Sequence, residues 1–352
     1  MAKRASIGLD LGGTNFSVAW LDESGALRDT LTLETQSHRP ASAIVADLAS
    51  AIQTTAQKAR QEGYTVVGSG IGVPAVIDPW AGLVLLPPNF AEGWHHYPLA
   101  ATLTQATQIP TWLINDARSF TFAESRMGAG KGYRHLLGIT LGTGVGGGLI
   151  LNGQLYLGRW GTAGEFGHQV YDPHGPRCGC GGFGCIEVFA SGPAIVAAAA
   201  RHLRQGRTPL LREIIQGSLD DLSPKAVAQA AQAGEEECIE IYRRVGRALG
   251  IGISNVLSVL GLEAVVIGGG VAQAGNLLFE PIWQTLEQHQ YMVREHLSTL
   301  QIKPAQLNEP GVMGAAVYAA EQYAAEQYAA EQYAAEQSQQ IIQSANPRAN
   351  TV

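Results

Sequence analysis

Residues 165–187 read EFGHQVYDPHGPRCGCGGFGCIE, and Cys178-x-Cys180-x4-Cys185 sets three soft donors in one glycine-bounded loop. A closed tetrahedral zinc site needs a fourth ligand, and His168 and His174 are the nearby candidates. Clustered cysteines in a long intracellular chain point to metal before disulfides. The fourth cysteine, Cys238, lies in the helical run EEECIEIYRRVGRALG and reads as an inert, partly buried thiol. Glu165 and Glu187 flank the cysteine loop, Asn89 sits in PPNFAEGW, and Asn115-Asp116 close the apolar run TWLIND. Carboxylates and amides in such numbers can hold the hydroxyls of a polyol. A carboxylate at the carboxyl end of a strand, beside an amide, can also take a proton from one of them. Taken alone, Asp116 reads as the N-cap of a helix over 117–127, and each glutamate as a surface residue.

A second chemistry is written in glycine. DLGGTN at 10–15 lies between two strand patterns, where Gly12 and Gly13 let backbone N–H groups face an anion and Thr14 and Asn15 add donors. Asp10, at the strand end, is placed to hold Mg²⁺ directly or through water. LGTGVGGG at 141–148 is the second such turn, with Thr143 available, and Gly268-Gly269-Gly270 is the third. Two other matches fail on context. Gly142-x-Gly144-x-x-Gly147 is followed by a strand pattern and not the helix a dinucleotide site requires. GAGKG at 128–132 has Ser125 where a Walker loop needs its first glycine, and no Ser or Thr follows Lys131.

The elements that must position these residues follow from periodicity. Strands are predicted at 6–11, 16–22, 26–35, 66–73 and 111–116, with a helix over 41–61 in which Ile44, Leu48 and Ile52 recur four apart. A second strand, glycine turn and strand occupy 135–141 and 147–153. Helical segments follow at 191–206 and 224–258, then a strand into a glycine turn at 264–270. Two halves that open alike suggest a two-domain α/β protein with an internal repeat. From 318 to 337 YAAEQ is repeated four times. A period of five advances about 140° per repeat, so the tyrosines spiral and form no seam, and a solvated helical extension is expected. Residues 338–352 are expected to be a disordered tail.

With 352 residues, 46% apolar and 15% charged, the chain can bury two cores. A net charge of −7 with no Lys/Arg run argues against a nucleic-acid partner. No stretch reaches the ~20 apolar residues of a membrane span, and MAKRASIGLDLGG offers no signal peptide, so a cytoplasmic location is expected.

Together, DLGGTN, LINDA (113–117), LGTGVGGG, GEFGH (164–168), CGCGGFGCIE (178–187) and GVMGAA (311–316) resemble the ROK family of bacterial sugar kinases and related repressors, over about 310 residues. The resemblance implies a two-domain actin-like (ribonuclease-H-like) ATPase fold with an interdomain cleft. It places a small domain at 1–115 plus about 311–337, and a large one at 116–310 that carries the zinc loop 164–187. It implies Asp116 as catalytic base, and Asn89, Asn115, Asp116, Glu165, His168 and Glu187 as holders of the sugar hydroxyls. His168, Cys178, Cys180 and Cys185 would bind a structural Zn²⁺, which demotes His174. Asp10, Gly12, Gly13, Thr14 and Asn15, with Thr140, Gly142, Thr143 and Gly144, would hold the phosphates of MgATP, and Gly268, Gly269 and Gly270 would lie near the adenosine. The implied activity is ATP-dependent phosphorylation of a hexose at O6, with glucose first, by a homodimer or homotetramer. Mannose, fructose, N-acetylglucosamine and N-acetylmannosamine stay open as substrates, as does a non-catalytic sugar sensor. The chain opens at the first kinase strand without the helix-turn-helix of the repressors, so DNA binding is not expected.

Overall fold

The computed structural model describes residues 3–345, apart from Pro88, Asn89, Glu92 and residues 290–293. It divides into two compact units: one runs to Ile114 and resumes at Ala315, and the other is Asn115–Gly314.

In the first unit β1 (Lys3–Leu11), β2 (Asn15–Asp22) and β3 (Leu27–Glu34) form an antiparallel meander, and β4 (Tyr64–Val73) pairs parallel to β1. A small hairpin, β5 (Val76–Asp78) and β6 (Leu83–Leu86), precedes β7 (Thr111–Asn115). The sheet order is β3-β2-β1-β4-β7. Ile7, Leu9, Leu11, Phe16, Val18 and Trp20 are buried in this unit's core. So are Ile44, Leu48 and Ile52 of α1 (Ala41–Gln61), the stripe expected from their four-residue spacing. Burying each such side chain is worth about 1.5–3 kcal/mol. A short α2 (Leu99–Thr107), not anticipated from the sequence, adds Leu99 and Leu103 to the same core.

The second unit repeats the plan. After α3 (Asp116–Met127), β8 (Leu136–Leu141), β9 (Val145–Leu151) and β10 (Gln154–Leu155) are antiparallel neighbours. Parallel to β8 come β11 (Ala264–Gly268) and then β12 (Gln301–Pro304), giving the order β10-β9-β8-β11-β12. In both sheets a strand, a glycine turn and a returning strand stand beside parallel strands added later. The helices are α4 (Glu187–Ala190), α5 (Gly192–Arg204), α6 (Pro209–Ile214), α7 (Pro224–Gln232), α8 (Glu236–Leu260), α9 (Asn276–His289) and α10 (Arg294–Leu297). The helical run expected at 224–258 is therefore two helices. Gly234 breaks it at φ +97°, and Glu235 turns aside so that its Oε2 accepts the Leu210 and Leu211 N–H groups at the start of α6.

Glu124 is a wholly buried carboxylate on α3. Its Oε2 accepts the Ala129 N–H at 2.7 Å, and its Oε1 accepts those of Gln306 and Leu307 at 2.9 Å each. It thus ties the chain after α3 and the chain after β12 to the helix that begins at Asp116. Glu124→Ala would orphan three donors, at about 1–3 kcal/mol for each that stays buried. A loss near 3 kcal/mol is expected in a urea titration, with Glu124→Gln milder because one acceptor oxygen remains. An unchanged urea midpoint for the alanine variant would show that this clip carries no weight.

The last described element is α11 (Pro310–Ala345), which covers residues 338–345 of the expected disordered tail; residues 346–352 lie outside the described residues. The first YAAEQ copy is packed, with Tyr318 and Ala319 buried. Tyr328 and Tyr333 of later copies are exposed, and Glu326 of the second copy accepts the Trp112 indole N–H at 3.1 Å. Among the described residues no helix is long and apolar enough to cross a membrane.

Candidate functional site

The second unit assembles most of the candidate residues, beginning at the junction of β7 and α3. Asn115 and not Asp116 is the N-cap: its Oδ1 accepts from Ala117 N at 3.1 Å and Arg118 N at 3.3 Å. The expectation that Asp116 caps a helix starting at 117 is corrected. Asn115 takes the orphan N–H groups, and Asp116 opens the first turn, its Oδ1 accepting from Asn115 Nδ2 at 2.9 Å. The Asp116 carboxyl is raised above the ordinary carboxylate range. Burial is the main cause and the negative charge of Glu165 adds to it, against the Ala117 N–H, the Arg118 charge and the Asn115 amide. A half-buried carboxylate with a raised pKa is a poised proton acceptor.

Arg118, two residues on, was not singled out by the sequence. Its side chain is 3% exposed. Nε donates to the Ala163 carbonyl at 2.9 Å, and a terminal nitrogen donates to Glu165 Oε1 at 3.0 Å. Glu165 itself is 40% exposed, so a buried cation holds an accessible carboxylate in place. The partners lie 47 residues apart, and nothing in NDARSF signals the pairing.

Phe166–His168 form a single 3-10 turn that presents the imidazole. The ligand atoms of His168, Cys178, Cys180 and Cys185 all lie within 4.8 Å of one another. Cys180 and Cys185 sulfurs are 3.7 Å apart, and Cys178 Sγ is 3.7 Å from His168 Nδ1. Tetrahedral zinc with bonds near 2.0–2.3 Å has ligand-to-ligand edges of roughly 3.5–3.8 Å, so the donor set fits that ion in kind, and these two edges match it in length. Burial pushes the Cys185 thiol up to about 12 and raises Cys178, while the Gly182 N–H holds Cys180 down. The loop is shaped for this. Cys178 N donates to Gly182 O, Gly181 N to Cys178 O, and Ile186 N to Gln169 O. Gly184 sits at φ +63° with a notional Cβ only 1.6 Å from Asp172 O, so no other residue fits there. His174 is outside the cluster, its N–H donating to Asp172 Oδ1 in a local turn.

Glu187 opens α4 and joins two candidate regions. Its Oε2 accepts the Val145 N–H at 3.1 Å, on the second glycine turn, and its Oε1 lies 3.6 Å from Cys178 Sγ. A side chain at Gly144 would meet that Oε2 at 2.6 Å. On the same stretch of backbone, a Cβ at Gly146 would meet the Ala117 methyl at 2.6 Å, so α3 closes down on β9 beside Asp116.

The second and third glycine turns are neighbours, because β8 and β11 pair through Thr140 and Gly268. Gly142 N donates to Gly144 O, Gly192 N donates to Gly142 O, and Gly269, at φ +92°, lies against Leu141 O. Thr143 is exposed on this turn. Both turns thus stand at the carboxyl ends of parallel strands, where α/β sheets bind ligands. Strand β9 follows the turn and no helix does, so the dinucleotide fingerprint has no support. The first turn belongs to the other unit. There Gly12 N donates to Asn15 O at 2.9 Å, while Thr35 bonds Gly12 O and Thr14 O. Asp10 lies at the end of β1, paired with Ser17 and Gly72. Asn89, a candidate sugar ligand, lies outside the described residues.

The sequence profile of the ROK family matches residues 6–322. This chain belongs to the ROK family. It is 35% identical over 320 residues to a glucokinase of Thermotoga maritima, covering 90% of this chain and 97% of that one. It is 33% identical over 276 residues to an N-acetylmannosamine kinase of Escherichia fergusonii, covering 78% and 85%. Among solved structures, a ROK family glucokinase from Streptomyces griseus in complex with glucose and AMPPNP superposes with a TM-score of 0.76 at 33% identity, over 90% of this chain and 99% of that one. The paired five-stranded sheets are the actin-like ATPase architecture of ROK sugar kinases. The ROK match ends with the first YAAEQ copy, the packed one, and the other three copies lie beyond it.

Proposed function

We propose that this chain is an ATP-dependent glucokinase that transfers the γ-phosphoryl group of MgATP to O6 of glucose. The observation that carries the mechanism is Asp116. It stands at the start of α3 with its capping duty taken by Asn115, half-buried and with a raised pKa. The full-length likeness to glucokinases supports the sugar and the donor.

Asp116 accepts the O6 proton as the O6–phosphorus bond forms and the bond from γ-phosphorus to the bridging oxygen breaks, releasing ADP. The transition state is loose, so positioning and charge neutralisation do most of the work. Asn89, Asn115, Glu165, His168 and Glu187 hold the remaining hydroxyls. His168 turns Nδ1 toward Cys178, which leaves Nε2 for the sugar. His168, Cys178, Cys180 and Cys185 would hold a structural Zn²⁺, which supplies a fixed fold for the loop between Glu165 and Glu187. Asp10, Gly12 to Asn15, Thr140 and Gly142 to Gly144 serve the phosphates and their Mg²⁺, and Gly268 to Gly270 serve the adenosine.

N-acetylmannosamine is the second reading for the acceptor, favoured by the 33% identity to a kinase for that sugar. ADP release with MgATP, measured against glucose, mannose, fructose, N-acetylglucosamine and N-acetylmannosamine, decides between them. The highest kcat/KM is expected for glucose. A higher value for N-acetylmannosamine would replace glucose by it. Sugar binding in calorimetry without any turnover would instead make the protein a sensor.

A further inference from the structure

Arg118 is among the few charged residues buried in the described structure, at 2% exposure. Its guanidinium is closed off from solvent. Both side-chain hydrogen bonds described above run to one short segment: the carbonyl of Ala163 and the carboxylate of Glu165. That segment precedes His168 and carries no regular element until Phe166. Without Arg118, Glu165 would be an exposed side chain on a loop. Arg118 is also anchored at the start of α3, where its own backbone N–H is capped by Asn115.

We propose that Arg118 is a positioning residue of the phosphoryl-transfer site, fixing Glu165 toward the sugar and balancing the charge of Glu165 and Asp116. This rests on the reading of Asp116 as base and Glu165 as sugar ligand. Two functions are separable in the side chain. Its planar fork sets the geometry, because one face spans a carbonyl and a carboxylate at once. Its charge acts on Asp116, on which Glu165 is the opposing charge. Burial and Glu165 raise the Asp116 carboxyl, and Arg118 restrains that rise. Removing the cation therefore moves the base further upward and shifts the acidic limb of kcat to higher pH.

The test uses the full-length protein as wild type and as Arg118→Lys, Arg118→Met, Glu165→Gln and the Arg118→Met/Glu165→Gln double variant. Glucose Kd by calorimetry, KM, and kcat across pH are measured for each, with bound zinc and thermal midpoint as folding controls. Arg118→Met is expected to raise glucose Kd and KM about tenfold or more, the worth of one charged hydrogen bond, and to move the acidic limb upward. Arg118→Lys keeps the charge without the fork, so the limb stays near that of wild type while Kd still rises. In the Glu165→Gln background, Arg118→Met should add less than about twofold to Kd, because its effect runs through Glu165. Losses in Kd that multiply across the double variant would overturn the proposal. So would an Arg118→Met enzyme with wild-type Kd and pH profile and only a lower thermal midpoint. If Arg118→Met fails to fold, Arg118→Lys against Glu165→Gln carries the same comparison. Asp116→Asn, run alongside, keeps the two readings apart. Should it retain turnover, the base assignment falls, and the Arg118 proposal is then decided by the Kd cycle alone.

Discussion

Asp116→Asn is expected to lower kcat by ~10²–10⁴-fold or more while glucose Kd changes only a few-fold, since that is the usual worth of a positioned general base. The substitution keeps shape and keeps an oxygen to accept from Asn115 Nδ2, so the start of α3 need not move. It removes only the lone pair that takes the O6 proton. Single-turnover kinetics with calorimetry checks both halves, and turnover within tenfold of wild type sinks the assignment. Stability supplies an independent reading of the same carboxyl. Its folded pKa is raised, so the folded protein prefers the protonated form. The stability that form confers is complete below the unfolded carboxylate pKa and is lost as pH rises through the folded value. Asn, which never ionises, escapes that loss. Asp116→Asn should therefore be at least as stable as wild type in urea near pH 8, with the gap closing as pH falls into the ordinary carboxylate range. A variant that is both inactive and less stable at pH 8 would point to damaged packing and not to a missing base.

The His/Cys cluster was legible because its chemistry is local. Three cysteines within eight positions make one loop, and only the choice between His168 and His174 needed more than spacing. The glycine turns were legible for the same reason, since each sits between strands whose patterns are strong. What could not be read was whatever depends on distant partners. Strand β12 is a short QIKP with one half-buried apolar residue, Ile302, and it becomes a strand because β11 offers it an edge. The break at Gly234 is half explained by glycine. The other half is Glu235 reaching for Leu210 and Leu211, 25 and 24 residues away. Arg118 belongs to the same class. A sequence shows an arginine near a helix start and predicts a solvated side chain. Its burial is decided by Glu165 and Ala163, which the fold brings to it from 47 and 45 residues away. Asn115 and Asp116 divide the other way. Both were named as functional, yet which of them caps α3 is set by backbone angles: Asn115 is extended at φ −68°, ψ 147°, with Asp116 already helical.

Cys185→Ser is expected to remove about one equivalent of zinc per chain and to raise glucose KM more than tenfold, with kcat lowered less. Serine is a harder donor than a thiolate, and a four-ligand closed site tolerates the loss of one soft donor poorly. Free energy of metal binding in such sites is folding free energy for the loop that supplies the ligands. Here the damage should be confined. Phe166 and Ile186, at either end of the loop, are buried in the core of the second unit and need no metal to stay there. The segment between them has Cys178 and Cys185 as its buried side chains, together with the backbone bonds of its own turns. Limited proteolysis should then cut between 169 and 184 while both five-stranded sheets stay intact. Sugar affinity should fall because His168 is itself part of the cluster and Glu187 rests against Cys178, so both would lose their fixed orientation. Chemistry at Asp116 is spared in part because Asn115 and Arg118 hold that region from α3, without help from the loop's far end. A zinc-free variant with the KM of wild type would show that the cluster supports some other property of the fold and leaves the sugar ligands alone.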